Sequence, residues 1–266
     1  MARLRRAAGI KRVGHAGTLD PLATGVLIVC VGAATRLSEY VMHASKRYRA
    51  RVHLGVVTDS YDAEGEIVAE RDASAITREQ VERALDSFRG EIEQIPPMYS
   101  AIKQGGRRLY DLARAGETVE RSPRPVRIDA LALVEWQPPE FTLEVTCSAG
   151  TYIRSLAYDL GAALGVGAYL AGLTRTASGR FTLENAVPLD TLLSSPADWL
   201  IAPHAALADF PTITLDAEAE QNVRHGRAIS GEFAVGATVM AYDGADRLIA
   251  VLTADDGRLL PQKVFI

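Results

Sequence analysis

The run K-R-Y-R-A-R-V-H-L, Lys46 to Leu54, alternates with period two. Tyr48, Ala50, Val52 and Leu54 fall on one side, and Arg47, Arg49, Arg51 and His53 on the other. Successive side chains of a strand point to opposite faces, so this stretch predicts a strand with one apolar and one open face. Three arginines on the open face read either as a phosphate-contacting surface or as an ordinary solvated sheet face.

Other segments extend the sheet. Pro125–Trp136 and Phe141–Cys147 read as strands, the second alternating Phe141, Leu143, Val145 and Cys147 against Thr142, Glu144, Thr146 and Ser148. V-L-I-V-C-V, Val26 to Val31, reads as a buried strand from its length and β-branched content. Helices are expected over Ala33–Ala44, over Thr77–Phe88 with a Thr77–Gln80 capping box, over Arg107–Ala115 and over Thr151–Leu164. Strands and helices do not alternate regularly, which predicts an α+β fold with a largely antiparallel sheet. A Pro-containing helical connector spans Pro188–Asp209. From Thr212 short strands are separated by turns at Gly231, Gly236, Gly244 and Gly257, the pattern of a small β-barrel or sandwich. The expected domains are residues 1–208 and 209–266.

With 48% hydrophobic and 23% charged residues over 266 positions, a packed core is expected. No run approaches the roughly 20 apolar residues of a membrane span. Leu22–Ala34 is short and broken by Gly25 and Gly32, and M-A-R-L-R-R-A-A-G is no signal peptide. Cys30 and Cys147 sit in apolar runs and read as buried thiols of a reducing compartment, so a cytoplasmic protein is expected. The net charge of −4 hides an asymmetry. Residues 1–60 carry ten Lys/Arg against three acids, and residues 181–266 carry five against twelve. This places a basic surface early in the chain.

The scattered histidines (His15, His43, His53, His204, His225), with no paired metal-ligand spacing, argue against a metal site. No phosphate-binding or nucleophile-elbow motif is present. What remains is a carboxylate with arginines and tyrosines. In G-H-A-G-T-L-D-P-L-A-T-G-V-L, Gly14 to Leu27, Pro21 restricts Asp20 to extended backbone, while Gly14 and Gly17 permit a tight loop. C-S-A-G-T-Y-I-R, Cys147 to Arg154, supplies a candidate cation. An Arg154–Asp20 pair would keep the carboxylate ionised and oriented, as a nucleophile or base requires. Spacing alone leaves Asp20 open between that role and a turn former before proline. Tyr48 and Tyr152 read either as core aromatics or, beside Asp20, as a base-stacking ring and a hydroxyl donor. His15 reads either as a solvated loop residue or as a wedge into RNA.

The Gly14–Leu27 motif resembles the signature of the TruB-type tRNA pseudouridine synthases. K-R-Y-R (46–49), L-G-V-V-T-D-S-Y-D-A-E-G (54–65), Q-I-P-P-M-Y-S-A-I-K (94–103), R-L-Y-D-L-A-R-A-G (108–116), C-S-A-G-T-Y-I-R (147–154) and G-A-Y-L-A-G-L-T-R-T-A-S-G-R-F (167–181) fit the same family in order. G-R-L-L-P-Q-K-V-F (257–265) resembles, more loosely, the end of its PUA-like RNA-binding domain. The resemblance implies a pseudouridine-synthase fold, with a mixed, largely antiparallel central sheet flanked by helices and a small C-terminal PUA-like β-domain. It implies isomerisation of uridine 55 in the tRNA T-loop by a monomer, without cofactor, metal or guide RNA.

It also assigns roles. Asp20 aligns with the catalytic aspartate, Tyr48 with the tyrosine that stacks on the target base and takes the late C5 proton, and Arg154 with the aspartate's partner. Tyr152 and Leu173 align with pocket walls and His15 with the inserted histidine. The segment Gln94–Arg114, which includes Lys103, resembles an RNA-gripping element. Residues 99–127 hold seven Lys/Arg against three acids, and Arg47 joins the phosphate-facing group. Thr174 and Ala149 depart from the arginine and lysine usual there, which weakens expected phosphate or supporting contacts. Only 13 residues precede Gly14, where the family carries a strand and a Lys-Pro segment, so that strand is expected to be missing and a sheet edge bare. A second reading is a truncated, catalytically impaired tRNA-binding or tRNA-folding protein.

Overall fold

The computed structural model describes residues 1–265. The chain opens with α1 (Ala2–Ala8), β1 (Val13–His15), β2 (Ala23–Gly25) and β3 (Val29–Val31). It continues through α2 (Ser38–Met42), β4 (Lys46–Leu54), β5 (Val56–Thr58), β6 (Ile67–Glu70) and α3 (Arg78–Leu85). β7 (Gly90–Gln94), the short hairpin β8 (Lys103–Gln104) and β9 (Arg107–Arg108), and α4 (Leu109–Arg114) come next. β10 (Arg124–Gln137), β11 (Glu140–Cys147), α5 (Ile153–Ala163), β12 (Ala168–Ser178) and β13 (Phe181–Thr182) follow. The remainder runs α6 (Leu189–Ser194), α7 (Pro203–Ala206), β14 (Thr212–Thr214), α8 (Ala217–Arg224), β15 (Ile229–Ser230), β16 (Thr238–Tyr242), β17 (Leu248–Asp255) and β18 (Arg258–Val264). Among the described residues no helix is long and apolar enough to cross a membrane.

Two compact units form. One comprises residues 16–28 and 42–186 and is built on a sheet of order β13-β12-β4-β11-β10-β7, with β2 added parallel to β12. All other pairings in that sheet are antiparallel. The period-two strand sits in the middle of it. Ala50, Val52 and Leu54 of β4 are buried and pack with Phe141, Leu143 and Val145 of β11, with Leu156 and Leu160 of α5, and with Leu170 of β12. Burying these side chains supplies the main driving force, about 1.5–3 kcal/mol for each large aliphatic. α3 carries the Thr77–Gln80 capping box, both bonds present, and adds Val81 and Leu85 to this core.

The other unit comprises residues 1–15 and 29–41 and the chain from Val187 onward. It contains the β1–β3 pair and a five-stranded sheet of order β14-β16-β17-β18-β15. Val239, Ala241, Ile249, Leu252 and Leu259 of that sheet enclose a separate small core with Val223 of α8.

Two local expectations are corrected. Val26–Val31 is not one strand: β2 ends at Gly25 in one sheet, and β3 begins at Val29 in another. Gly25 lies at φ +100°, and the Val26 N–H bonds the Arg175 carbonyl, so the chain turns where the apolar run reads as continuous. The helix expected over Ala33–Ala44 begins as a tight 3-10 stretch, Gly32–Leu37, and only Ser38–Met42 is α-helical. The Thr35 and Ser38 hydroxyls donate to the carbonyls of Gly32 and Thr35, local bonds that compete with regular α-helix.

Candidate active site

Asp20 is carried by the segment from Gly17 to Val26, which includes β2, the strand that pairs with β12 in the large sheet. The Ala23 N–H donates to the Asp20 carbonyl, closing a turn. The side chain is held from α5. Arg154, in the first turn of that helix, donates from Nε to Asp20 Oδ2 at 2.9 Å and from Nη2 to Oδ1 at 2.9 Å. This two-pronged geometry fixes the carboxylate in one plane and one rotamer. Arg154 is 4% exposed while Asp20 is 30% exposed, so the cation is sealed and the carboxylate meets solvent.

Arg154 has a second carboxylate, which sequence reasoning did not single out. Asp62 Oδ2 lies 3.4 Å from Nη1, and Asp62 is 4% exposed. The remaining donors go to main chain, Nη1 to Ser60 O at 3.3 Å and Nη2 to Tyr99 O at 2.9 Å. The loop between β5 and β6 is built around Asp62. Its Oδ1 accepts from Ser60 Oγ at 2.6 Å and from Glu64 N at 3.0 Å, and its carbonyl accepts from Thr58 Oγ1. Gly65 is obligatory here, because a Cβ would stand 2.3 Å from Ser60 Oγ. Tyr61 between them takes a left-handed φ of +65° and stacks on Tyr158 of α5, ring centroids 4.0 Å apart. A legible signal existed in T-D-S-Y-D-A-E-G: a second acid inside a Gly-terminated loop.

Tyr152 caps the start of α5 and is clamped by the buried side chain of Gln94. Gln94 Nε2 donates to Tyr152 O at 2.9 Å, and Tyr152 N donates to Gln94 Oε1 at 2.7 Å. Burial pushes the Tyr152 phenol up, with Arg154 opposing and Asp20 adding to the rise. Tyr48 lies on the inner face of β4. Burial pushes its phenol up as well; Cys147 and Asp20 raise it further, and the Arg175 guanidinium opposes them. Leu173 is buried in β12 opposite Ala50 of β4 and Ala23 of β2.

The structure thus gathers Asp20, Arg154, Tyr48, Tyr152 and Leu173 in one unit and one sheet neighbourhood. His15 ends β1 in the other unit, with its Nδ1 buried and without a partner among the described residues. Lys103 is exposed in the β8–β9 hairpin, whose neighbouring residues Met98, Leu109 and Leu112 form a small core of their own. Of the three arginines on the open face of β4, two are neutralised. Arg49 pairs with Glu135 and Glu144, and Arg51 with Glu140 at 3.3 Å. Arg47 is exposed and has no carboxylate within 4.0 Å among the described residues. Thr174, where the resemblance has arginine, shares a hydroxyl–hydroxyl bond of 3.0 Å with Thr24 of β2.

Comparison with known proteins identifies the family. Residues 5–153 match the family model described as TruB family pseudouridylate synthase (N terminal domain). Residues 154–202 match the tRNA pseudouridylate synthase B C-terminal domain. The chain is 52% identical over 231 residues to tRNA pseudouridine synthase B of Symbiobacterium thermophilum, covering 86% of this chain and 77% of that protein. It is 46% identical to the protein of the same name from Burkholderia pseudomallei, covering 100% of this chain and 91% of the relative. Among solved structures, a Cbf5-Nop10-Gar1 complex matches with a TM-score of 0.75 at 26% identity, over 100% of this chain and 80% of that one. The fold is that of the pseudouridine synthases.

Proposed function

The chain belongs to the TruB family, tRNA pseudouridine synthases that isomerise uridine to pseudouridine, and we propose that it acts on uridine 55 in the T-loop of tRNA with Asp20 as the reacting carboxylate. The observation that carries this reading is the two-pronged Arg154–Asp20 bond, which presents an oriented, partly exposed carboxylate beside Tyr48, Tyr152 and Leu173.

The reaction is redox-neutral. The N1–C1′ glycosidic bond breaks, the uracil turns, and a C5–C1′ bond forms; C5 loses a proton and N1 gains one. A carboxylate that attacks the flipped nucleotide, together with a base for the C5 proton, meets these demands without cofactor or metal. Asp20 attacks. Tyr48 stacks on the base and receives the C5 proton. Arg154 holds the aspartate. Tyr152 and Leu173 wall the pocket. His15 fills the space of the extruded base, whose unstacking costs a few kcal/mol. Arg47, Lys103 and the 99–127 segment contact phosphates, and residues 209–266 serve as a PUA-like RNA-binding domain. The protein works as a monomer in the cytoplasm, without a guide RNA.

Incubating the chain with unmodified tRNA transcript and assaying pseudouridine at position 55 tests the reading. Asp20→Asn is expected to keep tRNA affinity and lose about 10⁴-fold or more in turnover, the scale on which losing a nucleophile acts. Wild-type binding without any pseudouridine would instead make the protein a tRNA binder.

A further inference from the structure

Arg175 of β12 is 1% exposed and among the largest fully buried side chains of the molecule. Among the described residues it has no carboxylate within 4.0 Å. Its guanidinium donates to main-chain carbonyls: Nε to Val26 O at 2.7 Å, Nη1 to Thr18 O at 3.3 Å and Nη2 to Gly17 O at 3.2 Å. Guanidinium does not deprotonate in proteins, and burying an unpaired charge costs several kcal/mol. A cation kept in that position therefore calls for a role beyond packing.

The three acceptors sit at the two ends of the loop that carries Asp20. Gly17 and Thr18 begin it, and Val26 ends it. The main chain of Arg175 secures the far end a second time, since its carbonyl accepts from Val26 N at 2.9 Å and Arg175 stands opposite Gly25 in the parallel β2–β12 ladder. Any Cβ at Gly25 would lie 2.2 Å from that carbonyl oxygen. One residue thus pins the base of the loop, while Arg154 pins the carboxylate at its tip.

The same side chain shares a sheet face with the proposed base. Arg175 is the direct cross-strand neighbour of Tyr48 in the antiparallel β4–β12 pairing. The other ionisable groups around Tyr48 are Cys147 on β11, Asp20 on the loop, and Lys46 two residues earlier on β4. Burial raises the Cys147 thiol to about 11, so at neutral pH it brings no charge. Burial lowers Lys46 to about 8, with Arg175 contributing, and its Nζ is turned to the carbonyls of Met42 and Ala44. Arg175 is the permanent cation on this face.

We propose that Arg175 is a positioning residue for the isomerisation: it clamps both ends of the Asp20 loop and presents a fixed positive charge to the Tyr48 phenol, which favours the anionic form that a base must adopt. This rests on the roles proposed for Asp20 and Tyr48. Both actions use one guanidinium because its planar fork reaches the two ends of the loop at once, which an ammonium cannot do.

The test uses the full chain with Arg175→Met and Arg175→Lys, and unmodified tRNA transcript. Single-turnover rate, tRNA affinity, and the ¹⁹F titration of 3-fluorotyrosine placed at position 48 are measured. Arg175→Met is expected to lower the rate about 100-fold, the scale of losing one preorganised electrostatic group, with affinity changed less than about threefold. Its fluorotyrosine should bind its proton at least about tenfold more tightly, a change of about 1.4 kcal/mol. Arg175→Lys should restore the titration, because the charge returns, and recover only part of the rate, because the clamp does not. A merely structural arginine would not move the phenol. An unshifted titration or an unchanged rate in Arg175→Met overturns the proposal. Should that variant fail to fold, a wild-type rate in Arg175→Lys overturns it. If wild type itself makes no pseudouridine, the function assigned above fails as well; if wild type turns over and Arg175→Met matches it, only the proposal fails.

Discussion

Two buried arginines serve the loop around Asp20, and they are accommodated in opposite ways. Arg154 stands between two carboxylates, Asp20 and Asp62, and adds the carbonyls of Ser60 and Tyr99. Arg175 has no carboxylate within 4.0 Å among the described residues and bonds carbonyl oxygens instead. The first arrangement makes a rigid ionic unit whose members depend on one another. The second leaves net positive charge inside the protein, available to whatever side chain faces it. Salt bridging and solvation by main-chain dipoles are thus used side by side for two tasks: orienting a reacting group and setting the field beside it.

Removing the paired cation should have the largest effect. Arg154→Met leaves Asp62 buried without its counter-ion, and about 3–5 kcal/mol of stability should be lost in urea unfolding, with turnover lost alongside. Arg175→Met strands no anion, so the loss of its carbonyl bonds should cost less, about 1–3 kcal/mol. Equal destabilisation of the two variants would erase the distinction between them. Next comes Asp62→Asn, which keeps shape and leaves Arg154 with one carboxylate, Asp20, in place of two. A loss of about 1–3 kcal/mol is expected, with tRNA affinity unchanged, and a wild-type unfolding midpoint would show that Asp62 does not balance Arg154.

The smallest effect concerns a single unpaired anion on α5. Burial pushes Asp159 up to about 6 from 3.8, and it has no ion-pair partner among the described residues. Its folded state therefore binds a proton more readily than its unfolded state. That contribution to stability is complete below pH 3.8 and is lost as pH rises through about 6. Asp159→Asn should stabilise the protein by about 1–2 kcal/mol at pH 7.5, after allowance for partial solvent screening, and change nothing at pH 4. Thermal unfolding at the two pH values checks this.

Regular patterns were legible in the chain and chain-distant pairings were not. Period two at Lys46–Leu54 marks β4, and Thr77 with Gln80 marks the start of α3, because both signals are local. The run V-L-I-V-C-V misleads: nothing in its composition shows that Val26 bonds the main chain of Arg175, 149 positions away. Asp20 and Arg154 are separated by 134 positions, so their pairing is a property of topology. Arg175 did leave a trace. It occupies an inward position of β12, in step with Leu173 and Ala177, where alternation calls for an apolar residue. A charged residue on the buried phase of a strand is itself a signal.

The glutamates that flank the β4 arginines have a consequence for how binding responds to salt. An arginine already paired with Glu135 or Glu140 holds little condensed anion and releases little when RNA arrives. A face with three unpaired arginines would displace about three cations from the nucleic acid, whereas one with only Arg47 unpaired displaces about one. The slope of log affinity against log salt for this face should therefore be flatter, by about 1.4 for single-stranded RNA, than a count of its arginines indicates. The sheet trades strength of attraction for tolerance of the ionic medium.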